Sequence, residues 1–212
     1  MASRKVLVFG ATGGTGRQVV AQALKLGHEV TAFVRDPGRL PATGERLRVV
    51  TGDVTAGGQP LADAVRGQDA VISALGRGNS MKSGGLIARS VPVIVRAMEG
   101  AGVRRLILTS AYGVGETWRD VPLVPRIVMR LFMRDLSTDK QVGEVALAAS
   151  GLEWTVVHPV TLTNGPATGR YRAGERLALS GFPRVSRADV AAFLLAQVDD
   201  RSWVRKHVLI SA

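Results

Sequence analysis

The chain has 212 residues, 46% of them hydrophobic, and no apolar run long enough to span a membrane, so we expect a soluble cytoplasmic protein with a sizeable core. It has no cysteine, and its three histidines show no ligand spacing, so disulfides are excluded and no metal site is expected. The net charge of +11 suits an anionic ligand, but the basic residues are dispersed and only 5% of residues are aromatic, so no nucleic-acid partner is expected.

Strand-length apolar runs alternate with helical segments along the first half of the chain. "KVLVFG" predicts a first strand, and "TGRQVVAQALKLG" predicts an amphipathic helix that ends at Gly27. "HEVTAFVRD", "LRVVTGDV" and "DAVISALG" predict the next three strands, with a short helix in "LADAVRG" before the last of them. "SVPVIVRAMEGAG" predicts a helix with Pro92 in its first turn, and "VRRLILTS" predicts a fifth strand.

The second half departs from this regular alternation in two places. The segments 111–135 and 160–185 are predicted to lie on the substrate side, the second of them as loops or a short β-ribbon. Residues 126–150 are too long for one plain crossover helix, and we expect a break near Asp135. "LEWTVVHP" then predicts a sixth strand.

The chain ends with a helix and a strand. In "SRADVAAFLLAQVDD", Ser186 is the expected N-cap, with Asp189 three residues on in the manner of a capping box, and "KHVLIS" is the last strand. Apolar strands separated by helices predict an α/β fold, specifically a Rossmann-type doubly wound, mostly parallel sheet with helices on both faces. We expect residues 1–212 to form one such domain.

A glycine-rich turn joins the predicted first strand to the first helix. Three of its glycines have the spacing and the strand-to-helix context of a dinucleotide fingerprint. Such glycines let the chain turn sharply, let its backbone approach a pyrophosphate and let the helix pack on the strand, while helix N–H groups face the phosphates. An ordinary tight turn is the alternative. We expect dinucleotide binding through Gly10, Thr12, Gly13, Gly14, Thr15 and Gly16.

The end of the second strand indicates which dinucleotide is preferred. In NAD sites a carboxylate about 20 residues beyond the glycines accepts a hydrogen bond from the ribose 2'-hydroxyl. Arg35 occupies that position, and a guanidinium binds a 2'-phosphate, so we expect NADPH, with weaker use of NADH left open by Asp36. A solvated Arg35 is the alternative. After the third strand, Asp53 is expected to bind the adenine amine and Val54 to pack beside the ring.

The stretch "VFGATGGTGRQVVAQALKLGHEVTAFVRDPGRL", with "GDV", "GQDAVISALG" and "SGLEWTVVHP", resembles the atypical short-chain dehydrogenase/reductases. It is most similar to their NmrA-like group, which includes biliverdin-IXβ (flavin) reductases. The family's usual catalytic pair is a tyrosine and, one helical turn later, a lysine. Lys140 stands at the lysine position, but Leu136 stands where the tyrosine belongs. This departure argues against a standard alcohol dehydrogenase and suits reductases whose easily reduced acceptor takes the hydride directly.

The carboxyl ends of the fourth, fifth and sixth strands are expected beside the nicotinamide, because the cofactor of a doubly wound sheet crosses the switch point there. The fourth strand is followed by Ala74, Leu75 and Gly76, expected at the cofactor, and by Arg77, expected to meet an acidic substrate. Trp118 is a further candidate substrate contact in an apolar loop.

The resemblance implies roles for several polar residues. Ser110 would hold the carboxamide or a substrate carbonyl, and Lys140 would bond the nicotinamide ribose. The segment Pro159 and Val160 would meet the carboxamide, and Tyr112 is a candidate proton donor if its loop folds over the site. The alternatives are structural: Ser110 caps its strand, Lys140 is a solvated helix residue, and His158 is a buried histidine without a catalytic role.

These observations predict an NADPH-dependent reductase that transfers a hydride to a planar conjugated acceptor such as FMN, biliverdin or a quinone. We expect a monomer or a small homo-oligomer. Two alternatives remain open. One is an NmrA-like NADP(H)-sensing regulatory protein that binds the dinucleotide without turnover, and the other is a ketoreductase of a biosynthetic pathway.

Overall fold

The computed structural model describes residues 2–76, 84–120 and 134–212. Within these ranges the helices are α1 (Gly14–Lys25), α2 (Gln59–Val65), α3 (Leu86–Gly100), α4 (Arg134–Ala148) and α5 (Arg187–Ala196). The strands are β1 (Lys5–Phe9), β2 (Glu29–Val34), β3 (Leu47–Thr51), β4 (Ala70–Ser73), β5 (Arg105–Thr109), β6 (Glu153–Pro159), β7 (Thr161–Thr163), β8 (Arg172–Gly174), β9 (Arg184–Ser186) and β10 (Lys206–Ser211).

The main sheet has eight strands in the order β3-β2-β1-β4-β5-β6-β10-β8. All neighbours are parallel except β8, which runs antiparallel to β10. The order reverses between β1 and β4, which makes that edge the topological switch point and confirms the predicted doubly wound, mostly parallel sheet. Part of the segment 160–185 forms a β-ribbon, in which β7 pairs in parallel with β9.

Each face of the sheet buries its own apolar layer. Val6 and Val8 of β1 pack in a layer with residues of α1 and α5, whereas Leu7 and Phe9 pack in the opposite layer with residues of α2 and α3. Helix α4 packs beside α3 on this second face. Burial on both faces explains why β1 is apolar throughout instead of alternating.

Two details of the helices differ from or extend the sequence predictions. Pro92 lies inside α3 and not in its first turn, because the helix begins at Leu86, well before the predicted start. The buried face of Ile87, Val91 and Ile94 stabilises the helix despite the hydrogen bond that a proline removes. The break predicted near Asp135 falls at the edge of the described residues: residues 121–133 lie outside them, and α4 begins at Arg134. No helix in the described ranges has the length and hydropathy to cross a membrane.

The predicted N-cap of α5 is confirmed. The Asp189 N–H donates to Ser186 Oγ at 2.9 Å. The Asp189 carboxylate also accepts hydrogen bonds from the N–H groups of Thr168 and Gly169, at 2.7 and 2.8 Å, and so ties the segment before β8 to the helix. Burial opposes ionisation of Asp189, but its hydrogen bonds outweigh that effect and lower the pKa of the carboxyl.

Arg105, on the central strand β5, is a buried cation with a structural role. Its side chain is 1% exposed. Nε donates to the Gln197 carbonyl and Nη1 donates to the Glu153 carbonyl, both at 2.8 Å. Burial lowers its pKa to about 10, which leaves the guanidinium charged at neutral pH. The arginine therefore fastens the end of α5 to the sheet.

Replacing Arg105 with Met should lower the free energy of unfolding by about 3 kcal/mol, because two carbonyls lose a charged donor inside the protein. Arg104→Met is the matched control. Arg104 is 71% exposed at its side chain and forms a surface ion pair with Glu153, so its loss should cost less than about 1 kcal/mol. Denaturant unfolding of both variants measures the difference. Equal losses in the free energy of unfolding would show that the buried hydrogen bonds of Arg105 stabilise the fold no more than the surface ion pair of Arg104.

Candidate functional site

A cleft of about 1100 Å³ runs along the carboxyl ends of the parallel strands and crosses the switch point between β1 and β4. This is where open α/β sheets bind their ligands. Nearly all the predicted site residues in the described ranges line it: Gly10, Thr12, Gly13, Gly14, Thr15, Arg35, Asp53, Val54, Ala74, Leu75, Gly76, Ser110, Tyr112, Lys140, Pro159 and Val160.

Three predicted residues stand apart from that lining. Gly16 lies behind the turn and packs on Gly10. Trp118 is half-buried on a 3-10 turn, Gly115–Asp120, and is not among the described lining residues. Arg77 lies outside the described residues.

The glycine-rich turn brings backbone into direct contact with backbone. Gly10 has φ of +75°, and a Cβ there would overlap the Ala74 carbonyl of the neighbouring strand end. A Cβ on Gly16 would overlap the Gly10 carbonyl oxygen. Helix α1 starts after Gly13 with no side-chain cap and no acidic residue in its first turn. The first N–H groups of α1 are therefore available to an anion.

Arginines surround the cleft at the end of β2. Arg35 lines it together with Arg17 and Arg39, and Arg17 Nη2 donates to the Arg39 carbonyl at 2.9 Å. The Asp36 carboxylate is used locally, because its Oδ1 accepts from Gly38 N at 3.0 Å and caps the turn Pro37–Arg39. This end of the cleft is consequently cationic.

Asp53 and Val54 follow β3 in the cleft wall. Asp53 Oδ1 accepts from both the N–H and the hydroxyl of Thr55, at 2.9 and 2.8 Å. These hydrogen bonds from Thr55 are the main cause of the lowered pKa of Asp53, which keeps the carboxyl ionised and able to accept. Val54 is buried beside it.

The opposite end of the cleft holds Ser110 and Lys140. Ser110 follows β5, donates its N–H to the Val157 carbonyl at 2.7 Å, and donates its hydroxyl to Glu144 Oε1. Lys140 is 8% exposed and therefore is not a solvated helix residue. Burial lowers its pKa to about 8, although the carboxylates of Glu144 and Asp139 counter part of the shift.

Helix α4 is fixed to α3 at this point. Asp139 accepts hydrogen bonds from the N–H groups of Ile87 and Ala88, at 3.2 and 2.8 Å, and so satisfies the start of α3. Because Asp139, Lys140 and Glu144 are all buried, the helix presents a polar stripe to the protein interior. That stripe places Lys140 at the cleft.

Two histidines form a hydrogen-bonded pair near Glu144 that no sequence pattern predicted: His158 is buried, His207 is half-buried, and His207 Nδ1 lies 4.0 Å from Glu144 Oε2. His158 Nδ1 lies 3.0 Å from the Ala111 carbonyl, and since a carbonyl only accepts, this nitrogen carries the proton. His158 Nε2 then accepts from His207 Nδ1 at 2.9 Å. Burial lowers the pKa of His158 to about 3, so the ring stays neutral and serves as a structural histidine.

Glu144, His158 and His207 also have ligand atoms within 4.8 Å of one another, which is close enough to consider a metal ion. Two histidine nitrogens on one tetrahedral zinc, each about 2.0 Å from it, stand about 3.3 Å apart. The 2.9 Å between His158 Nε2 and His207 Nδ1 is instead a hydrogen-bond distance, and Glu144 is engaged by Ser110.

Several cleft residues were missing from the sequence predictions. The cationic ones are Arg17, Arg39 and Arg187. Arg17 follows the glycine turn and Arg39 follows β2. Their positions in the sequence could have identified them in the same way as Arg35. Arg187 lies far away in the sequence and meets the turn only in the folded protein.

The sequence profile of an NAD(P)H-binding family matches residues 10–201. The chain is 30% identical over 207 residues to the uncharacterized sugar epimerase YhfK of Bacillus subtilis (strain 168). The match covers 93% of this chain and 89% of that one. It is 34% identical over 176 residues to the uncharacterized chloroplastic protein At2g34460 of Arabidopsis thaliana, covering 79% of this chain and 62% of that one.

Solved structures share the fold at low identity. The anaerobillin reductase ChuY of Escherichia coli O157:H7 superposes with a TM-score of 0.78 at 24% identity, covering 97% of this chain and 96% of that chain. A short-chain dehydrogenase/reductase of Veillonella parvula DSM 2008, solved with NADP, superposes with a TM-score of 0.81 at 20% identity, covering 100% and 95%. The chain therefore belongs to the NAD(P)H-binding family and has the Rossmann fold that its sequence indicated.

Proposed function

We propose that this protein is an NADPH-dependent reductase that transfers a hydride to a planar conjugated acceptor, such as a flavin, a biliverdin-like tetrapyrrole or a quinone. The observation that carries the proposal is the continuity of the cleft, which joins the glycine turn at one end to Ser110 and Lys140 at the other. Its volume of about 1100 Å³ is above the roughly 300–1,000 Å³ of ordinary ligand pockets, which suits a dinucleotide with a second ligand.

The residues of the cleft fit a dinucleotide. The turn offers uncapped N–H groups where phosphates are bound, and its backbone leaves no room for side chains. The phosphates are assigned to the turn, the adenosine to the ends of β2 and β3, and the nicotinamide to the ends of β4, β5 and β6. The nicotinamide residues are Ala74, Leu75, Gly76, Ser110, Lys140, Pro159 and Val160.

A preference for NADPH over NADH follows from the charge at the end of β2. Arg35 and Arg39 both line the cleft there, and a guanidinium binds a phosphate monoester through paired charged hydrogen bonds. The Asp36 carboxylate, which would favour an unphosphorylated ribose, caps the turn Pro37–Arg39 through Oδ1 and is not among the described lining residues. NADH should therefore bind, but more weakly.

Lys140 is the proton donor that the geometry favours. Bound NADPH supplies a hydride, so an acceptor that takes it must also gain a proton to complete a two-electron reduction. Lys140 reaches the cleft from a buried position, and its lowered pKa makes it a better acid than a solvated lysine. Ser110, held by Glu144, orients the acceptor or the carboxamide, and Tyr112 lines the same end of the cleft.

The choice of acceptor class has independent support. One structural neighbour is described as an anaerobillin reductase, and its structure aligns with 97% of this chain. An acceptor that is readily reduced needs no tyrosine acid, which agrees with Leu136 at the tyrosine position. The cationic character of the chain, +11 overall, suits an acidic acceptor such as FMN.

Turnover should be measurable as loss of NADPH absorbance with FMN as acceptor, and kcat should fall as the pH rises through about 8, where Lys140 loses its proton. The variant Lys140→Met should have a lower kcat and no such pH dependence. Dinucleotide binding without turnover of FMN, biliverdin or a quinone would favour the sensing protein. Turnover with a flat pH profile would remove Lys140 as the proton donor.

Replacing Arg35 with Ala should weaken NADPH binding by roughly 10- to 100-fold and leave NADH binding nearly unchanged, because only NADPH has the 2'-phosphate. Arg48→Ala is the control, since Arg48 is exposed on β3 and is not among the described cleft residues. Tryptophan-fluorescence titration gives both dissociation constants. Equal losses for the two dinucleotides would show that Arg35 does not bind the 2'-phosphate.

Two glycines of the turn should respond differently to alanine. Gly13 has an ordinary backbone conformation, and a Cβ there would meet only the Gly10 oxygen at 3.3 Å, so Gly13→Ala should fold but bind NADPH roughly tenfold more weakly. Gly16→Ala should lose about 3 kcal/mol of stability, since its Cβ collides with rigid backbone. Thermal unfolding and binding titrations separate the two effects. Wild-type affinity in Gly13→Ala would contradict the phosphate assignment.

A further inference from the structure

One glycine of the turn is not explained by the dinucleotide fingerprint. Gly10, Gly13 and Gly16 have the expected spacing, but Gly14 is additional. Its φ is not in the left-handed region, so the backbone does not require glycine there. A Cβ on Gly14 would instead lie 2.8 Å from Cδ and Nε of Arg187. Gly14 therefore leaves room for the side chain of Arg187.

The outer half of the Arg187 side chain lies against the turn. Its Cδ and Nε pass over Gly14, and its Nη1 donates to Asn164 Oδ1 at 2.7 Å. Arg187 is half-buried and lines the cleft. It is the first residue of α5 and directly follows Ser186, the N-cap of that helix. In the described ranges, no carboxylate forms an ion pair with it.

The position of Arg187 beside the start of α1 favours an anionic ligand for its guanidinium. Arg187 lies at the N-terminus of α1, where uncapped N–H groups and the helix dipole favour an anion. A guanidinium beside such a turn adds two directed, charged hydrogen-bond donors. A phosphate group placed at the turn would then be bound from the β1 side by backbone and from the α5 side by the side chain.

We propose that Arg187 binds the diphosphate of the dinucleotide, with Asn164 as the residue that positions its guanidinium. The proposal rests on the dinucleotide site proposed above and adds a residue from the C-terminal part of the chain to it. Arg187 acts on NADPH and NADH alike, unlike Arg35.

The test measures dissociation constants of NADPH and NADH for Arg187→Gln at several salt concentrations. Both affinities should fall by a similar factor of roughly ten or more, with a weaker dependence on salt, and Arg187→Lys should restore part of the loss. Asn164→Ala should weaken both dinucleotides by a smaller factor. Arg184→Gln is the control, since Arg184 is exposed on β9 and is not among the described cleft residues.

Other outcomes overturn the assignment. A loss confined to NADPH would place Arg187 at the 2'-phosphate. Unchanged dinucleotide affinities with a raised KM for FMN, but not for riboflavin, would place it at the phosphate of the acceptor. A Tm equal to that of the wild-type protein verifies that Arg187→Gln is folded. If the wild-type protein binds neither dinucleotide, the proposed function itself fails, which is distinct from a failure confined to the variant.

Discussion

The close approach of backbone to backbone at the glycine turn is the constraint on which the site depends. Gly16 lets the first turn of α1 rest on the Gly10 carbonyl, and Gly10 lets β1 end against the Ala74 carbonyl after β4. This contact lies at the switch point of the sheet, so it fixes where α1 points its free N–H groups. A side chain at Gly10 would push the end of β1 away from the end of β4, and one at Gly16 would push α1 away from the turn, both at the place where the cleft forms.

The other end of the cleft is organised by a helix with a buried polar stripe. On α4, Asp139 satisfies the start of α3, Lys140 reaches the cleft, and Glu144 holds the hydroxyl of Ser110. Burying these groups is costly unless each is paired, so they fix the helix in one orientation. The same burial that holds the helix also lowers the pKa of Lys140 toward neutrality, and so joins the packing of α4 to its proposed chemistry.

Local patterns predicted the features that depend on neighbouring residues. The glycine spacing, the apolar strands, the Ser186 cap and Arg35 at the end of β2 all follow from short stretches, because turns, caps and strand ends are decided by a few adjacent side chains. The expected position of Pro92 was wrong, since the packing of α3 extends the helix toward its N-terminus beyond the obvious pattern. Arg105 was indistinguishable in sequence from the exposed Arg104 beside it, although the sheet buries one and exposes the other.

By itself the sequence determined the α/β class, the positions of most strands along the chain and the place of the glycine turn, since hydrophobic periodicity and turn chemistry are local properties. The family was indicated by the resemblance of longer stretches, beginning with the glycine turn. Only the tertiary structure decided which distant residues meet. It brought Arg187 to Gly14, and it paired the buried His158 with the half-buried His207, which no sequence spacing predicts. Contacts between residues far apart in the chain depend on how α5 packs against α1 and how β10 pairs with β6, and that packing is a property of the whole fold.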